Sequence, residues 1–222
     1  MLGHRCPVDS TEQAWIQESM LGFTTQFGNG PLKRPVVLPT HEFFPPPFSG
    51  SDEDVRAAVR RVAGYMGADA AAITAACTCV LAIDRSSVAD PAVLLAVIAD
   101  ELARARLTAE HGVSAERKDQ APLTDLLTVY LGMGIFTANA AFDFSRTRPL
   151  ARIGGWRASR LGCLTEQMFG YGLACYARLR GEPDPGWARY LDTNPRVYMK
   201  HGLSYLGHAA PGGGLPAAPP PG

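Results

Sequence analysis

PLTDLLTVYLGMGIFTANAA, residues 122–141, is the stretch from which the fold is read. Proline suits the first turn of a helix, where its missing N–H would have no partner anyway. Behind Pro122 apolar residues fall on nearly every side: Leu123, Leu126, Leu127, Val129, Tyr130, Leu131, Ile135 and Phe136. A helix that is apolar all round lies inside a protein. The stretch therefore predicts one central helix from Pro122 to Ala141. Its few polar members, Asp125, Thr128 and Asn139, fall with Gly132 near one face by helical spacing. Buried polar groups need partners, so this face is expected to line a cavity or meet another polar element. Gly132 and Gly134 sit within the predicted helix and not behind a strand, which speaks for close helix packing and against a nucleotide-binding loop.

Outward from this centre, helix signals recur. A short helix is expected over Thr11–Phe27, followed by an extended Pro-rich stretch from Pro31 to Phe48, where Pro45-Pro46-Pro47 excludes helix. Ser51 offers a cap, and Asp52, Glu53 and Asp54 place negative charge on the positive end of the helix dipole. Val55, Val59, Val62 and Met66 then form an apolar stripe. ITAACTCVLAI, from Ile73 to Ile83, is short, apolar and partly β-branched, and predicts a strand or two. Asp90-Pro91 opens a helix expected to reach about Glu110 and to bury Leu94, Leu95, Val97, Ile98 and Leu102. Thr165 caps a helix stopping at Gly181, and Asn194-Pro195 opens a last one ending near Leu206. The fold class expected is mainly α with a small β-sheet (α+β), in a single domain over 11–206. Residues 1–10 are expected to be loose, and the low-complexity Pro/Gly tail 207–222 disordered.

Composition narrows the function. The 222 residues carry 21 basic and 21 acidic side chains, a net charge of zero, which argues against a nucleic-acid partner with its need for a basic field. A hydrophobic fraction of 46% with 19% charged residues is globular material. No apolar run approaches the ~18 residues of a membrane span, and the opening MLGHRCPVDSTEQAW lacks the apolar core of a secretory signal. A soluble, cytoplasmic protein is expected, with no membrane partner and an oligomeric state left open. The five cysteines, Cys6, Cys77, Cys79, Cys163 and Cys175, are an odd number and read as reduced thiols. Cys77-Thr78-Cys79 has the wrong spacing for a zinc-finger pair. None of His41, His111, His201 and His208 joins a recognisable Ser or Cys motif.

The segment Val97-Ile98-Ala99-Asp100-Glu101-Leu102-Ala103-Arg104 is the most specific in the chain. Asp100 and Arg104 stand four apart on a helix, acid first, the favoured order for an ion pair. The segment resembles the active helix of zincin-type metallopeptidases, whose His-Glu-x-x-His puts two imidazoles on one face with the Glu as general base. Glu101 holds the Glu position, and Asp100 and Arg104 hold the two His positions. The resemblance extends over most of 13–206 to a group of uncharacterised bacterial zincin-like proteins. It is carried by Pro35–Thr40, Glu42–Pro45, Pro122–Thr128, Gly132–Asn139 and Glu166–Tyr171. That group implies a further His and Glu just before the Pro-Leu-Thr-Asp motif, where this chain has Gln120 and Ala121; Asp125 is kept.

The departures carry the functional expectation. Arg104 is a fixed cation with donors only and cannot ligate zinc, so the resemblance implies a metal site replaced by a salt bridge, with no metal and no cofactor. The remaining Glu, Asp and guanidinium suit acid/base chemistry on a small molecule: an isomerase, lyase, dehydratase or cyclase. Glu101 is the expected proton-transfer residue, Arg104 the stabiliser of anionic charge, and Asp100 and Asp125 the groups that orient or share protons. Gln120, Thr128, Asn139, Glu166 and Tyr171 are the expected substrate contacts. A non-catalytic pseudo-peptidase, binding or interacting through a filled cleft, is the alternative. Arg146, Arg148, Arg152, Arg157 and Arg160, with no acid between Asp143 and Glu166, form a local cationic run that either receives an anion or is solvated.

Overall fold

Four helices among the described residues begin where a side chain answers the first free backbone N–H groups. In the computed structural model, which describes residues 5–45, 48–81, 91–110, 117–147 and 163–208, α1 (Ser10–Phe27) is capped by Asp9. The Asp9 carboxylate accepts from the N–H groups of Thr11 and Glu12 at 2.8 and 2.9 Å, and Glu12 accepts from the Asp9 N–H at 3.2 Å. This reciprocal box satisfies two otherwise unpaired donors, so the ordered structure starts ahead of residue 11, with Val8 already buried. Asp9→Ala is expected to lower the unfolding free energy by ~1 kcal/mol, read from the urea midpoint.

The Pro-rich stretch is less extended than expected. Pro31 occupies the start of a helical turn, α2 (Gly30–Lys33), and the N–H groups of Phe43 and Phe44 close a turn onto the Thr40 carbonyl. Between them the chain is extended, and the Val37 N–H donates to the Gly132 carbonyl at 3.1 Å. α3 (Asp52–Met66) is capped by Ser51, buries Val55, Val59, Val62 and Met66, and ends on Gly67 in the left-handed region.

The expected strand at 73–83 is a helix, α4 (Ala70–Leu81). Asp69 accepts from the Ala72 N–H at 2.8 Å and starts it, and alanine, the strongest helix former, supplies five of its twelve residues. Ala72, Ala76 and Val80 are its buried stripe, four residues apart, while Thr74 and Thr78 bond back to carbonyls one turn earlier. Residues 82 and 83 lie outside the described ones. No strand occurs among the described residues, so the helical part of the fold class holds and the small sheet does not.

α5 (Pro91–Ala105) packs against α3, α4, α6 and α7, and continues into a wider π-type turn, Arg106–Glu110. The helix expected over 122–141 is two: α6 (Gln120–Tyr130) and α7 (Gly134–Thr147). The break is at Gly132, whose φ of +90° places it in the left-handed region where a side chain would be strained. The turn is closed by Met133 N–H to the Thr128 carbonyl at 2.9 Å and held from outside by Val37.

α8 (Glu166–Leu179), capped by Thr165, pairs closely with α9 (Thr193–His208). A Cβ on Gly170 would lie 2.4 Å from Tyr198 Cβ, and one on Gly202 would lie 2.8 Å from Ala174 Cβ, so glycine sets the distance between these helices. α9 includes Gly207 and His208, so the expected tail boundary moves; residues 209–222 lie outside the described ones. Among the described residues no helix is long and apolar enough to cross a membrane.

Candidate functional site

α5 is buried from Val93 to Ala99 and becomes polar on one side of its last turns. There Asp100, Glu101 and Arg104 keep 21%, 25% and 41% of their side-chain surface exposed, enough for contact with solvent at the edge of the core. Arg104 Nη2 donates to Asp100 Oδ2 at 2.5 Å, and its Nε lies 3.7 Å from Glu101 Oε2. One guanidinium therefore faces two carboxylates of its own helix. Two other elements close the group. Cys79 of α4, exposed, interacts electrostatically with Glu101. Asp125 of α6 is buried, and its Oδ2 accepts from the N–H groups of Cys163 and Leu164 at 2.5 and 3.0 Å.

The charges interact. Burial raises the Asp100 carboxyl above its ordinary value, with Arg104 pulling it back. Glu101 is raised for the same reason, with Arg104 opposing and Asp100 adding to the rise. Asp125 is pushed up to about 7 by burial and by Asp100, against the pull of its two amide donors and Arg104. Burial works against the charge on Arg104, but Asp100, Glu101 and Asp125 outweigh it and hold the guanidinium above its usual value. Burial and Glu101 raise the Cys79 thiol. Three carboxyls that resist ionisation around one fixed cation form a group that can hold a proton near neutral pH.

The expected catalytic set Asp100, Glu101, Arg104 and Asp125 thus occupies one region. The expected substrate contacts do not. Thr128 is buried with its hydroxyl on the Asp125 carbonyl (2.7 Å) and 2.9 Å from the Thr137 hydroxyl. Asn139 donates to the Tyr190 carbonyl at 3.0 Å and accepts from the Asp192 N–H at 2.9 Å, holding the chain ahead of α9. Glu166 binds the Asn194 amide, and Tyr171 is buried with its hydroxyl accepting from Gln17 at 2.7 Å. Gln120 begins α6, its carbonyl accepting from Thr124. The polar face expected on 122–141 is split by the Gly132 break, and each member finds a separate partner.

A cleft of about 200 Å³ is lined by Pro39, Ala92, Val93, Ile135, Phe136, Asn139, Ala140 and Asp192. It lies towards the opposite end of α5 and does not include Glu101. The arginines 148, 152, 157 and 160, and the side chain of Arg146, lie outside the described residues.

Cys79 and the Cys163–Leu164 amides were not among the expected site residues. Reading 73–83 as strand put Cys79 on the wrong backbone, and nothing in the sequence marks a backbone amide as a partner of Asp125. Arg104 is a fixed cation with donors only, hydrogen-bonded to Asp100 four residues earlier, and cannot itself ligate zinc. Among the described residues no three His, Cys, Asp or Glu side chains group as metal ligands. Comparisons with protein-family models, curated proteins and solved structures find no match to this chain.

Proposed function

We propose that the end of α5 is a metal-independent acid/base site on a zincin-like helix whose metal grip has given way to an ion pair, acting on a small molecule. The observation that carries this reading is Glu101. It is partly exposed, next to a guanidinium, and held by burial above its usual pKa, the direction that suits a carboxyl for donating and accepting a proton. Arg104 then balances developing negative charge beside it, and Asp125, engaged by two amides, acts as a positioning residue from behind. Isomerase, lyase, dehydratase and cyclase reactions that run by proton transfer alone suit such a set.

The second reading, a non-catalytic binding protein, draws support from the same geometry: Arg104 is engaged by Asp100 and Asp125 by the backbone. The two separate by experiment. Purified protein is incubated with a small-molecule extract and profiled by mass spectrometry, beside Glu101→Gln. The enzyme reading expects a compound consumed by the wild type and converted ~10²–10⁴-fold more slowly by the variant. Equal conversion by both rejects the catalytic role of Glu101, and no conversion by either supports the binder. One tightly held zinc per chain with ligands among residues 100–125 overturns the lost-metal reading.

A further inference from the structure

The cleft beside the first turn of α5 does not include Glu101 and carries a chemistry of its own. Val93, Ile135, Phe136 and Ala140 give it apolar walls, all of them buried. Phe136 is fixed there by Phe44, whose ring meets it edge-on with centroids 5.4 Å apart. The polar part comes from two residues. Asn139 grips the chain ahead of α9: its Nδ2 donates to the Tyr190 carbonyl at 3.0 Å, and its Oδ1 accepts from the Asp192 N–H at 2.9 Å. Asp192 is thereby anchored through its backbone, and it stays exposed. Its carboxylate has no hydrogen bond or ion pair among the described residues. Arg189 and Arg196, the cations close to it in sequence, are engaged elsewhere. Arg189 lies over the Tyr190 ring at 4.9 Å, and Arg196 donates to the Arg189 carbonyl at 3.5 Å.

We propose that this cleft binds a small primary amine in its protonated form, with the ammonium on Asp192 and a compact apolar body against Ile135 and Phe136. Charge selects the head group. An ionised carboxylate only accepts hydrogen bonds, and the Asn139 carbonyl oxygen keeps a second lone pair beyond the one that meets the Asp192 N–H. An ammonium, with three donors and a positive charge, answers both acceptors. A ligand carboxylate or phosphate meets a like charge instead. Volume selects the body. At about 200 Å³ the cleft is smaller than the ~300–1,000 Å³ of pockets that enclose drug-sized ligands, so a single ring or a short branched chain fills it. The walls stand on α5 and α7, and Asn139 holds the turn that carries Asp192, so the site is formed before the ligand arrives.

The test titrates the isotopically labelled full chain with phenethylamine and follows backbone amide resonances by NMR. Phenethyl alcohol and hydrocinnamate serve as comparisons, since they keep the ring and the chain and change the charge. Phenethylamine is expected to shift Val93, Phe136 and Ala140 with about millimolar affinity. The alcohol binds roughly five-fold more weakly, and hydrocinnamate does not bind. Asp192→Asn keeps the shape of the side chain and the N–H that Asn139 holds. It is expected to weaken the amine roughly five-fold and to leave the alcohol unchanged. Added salt weakens the amine alone. Ala140→Leu fills the cleft and abolishes the shifts from both; where that variant does not fold, Asp192→Asn decides. The proposal is overturned by shifts centred away from the cleft, by hydrocinnamate binding as tightly as the amine, by equal amine affinity in the wild type and Asp192→Asn, or by no response to the amine.

Discussion

Gly170→Ala is expected to destabilise the protein by ~3 kcal/mol, in contrast to the usual gain when alanine replaces glycine within a helix. The added methyl would stand 2.4 Å from Tyr198 Cβ and 2.8 Å from the Met199 nitrogen, both parts of the α9 main frame that no rotamer change can move. α8 and α9 would have to separate, and both bury large side chains: Phe169, Tyr171 and Tyr176 on one, Met199 and Leu206 on the other. Gly64→Ala is the matched control. It lies within α3, a Cβ there meets nothing within 4 Å, and propensity alone should stabilise by ~0.5–1 kcal/mol. Urea unfolding of the two variants checks the pair. Equal shifts would mean that helix propensity, not the α8–α9 distance, governs both positions.

Asp125→Ala is expected to cost ~2–4 kcal/mol, because it strips the acceptor from two backbone N–H groups, at Cys163 and Leu164, where water cannot fully replace it. Asp125→Asn keeps a carbonyl oxygen for those donors and should cost far less. The pH dependence separates charge from shape. Asp125 titrates at about 7 in the fold against an ordinary 3.8, so between those values the folded state holds more protons than the unfolded state. The contribution of this group is then complete below about pH 4 and is lost as pH rises through 7, by up to ~1.4 kcal/mol per pH unit. Asp100 and Glu101, also raised, act with the same sign. Asp125→Asn should therefore show a flatter stability profile over this range than the wild type. Parallel profiles for the two proteins would remove Asp125 from the group that holds protons.

The sequence by itself determined the features that act within a turn or two of helix. The Ser51 and Thr165 caps, the Val55–Met66 stripe and the Asp100–Arg104 pair all join residues three, four or a few more positions apart, so spacing alone locates them. Glu101 was legible for the same reason, standing between the two. What only the tertiary structure decided depends on partners distant along the chain. The partly β-branched run at 73–83 is compatible with either backbone; the Asp69 cap and the alanines ahead of it favour the helix, and α3 and α5 cover it. The helix expected over 122–141 breaks at Gly132, in the left-handed region, where Val37, far away in sequence, meets its carbonyl. Asp125 was visible as a buried acid, but its partners, two amides 38 and 39 positions on, carry no signature in residue type. Local hydrogen bonds and charge pairs are written in the order of residues; long-range contacts are selected by packing, which that order specifies only collectively.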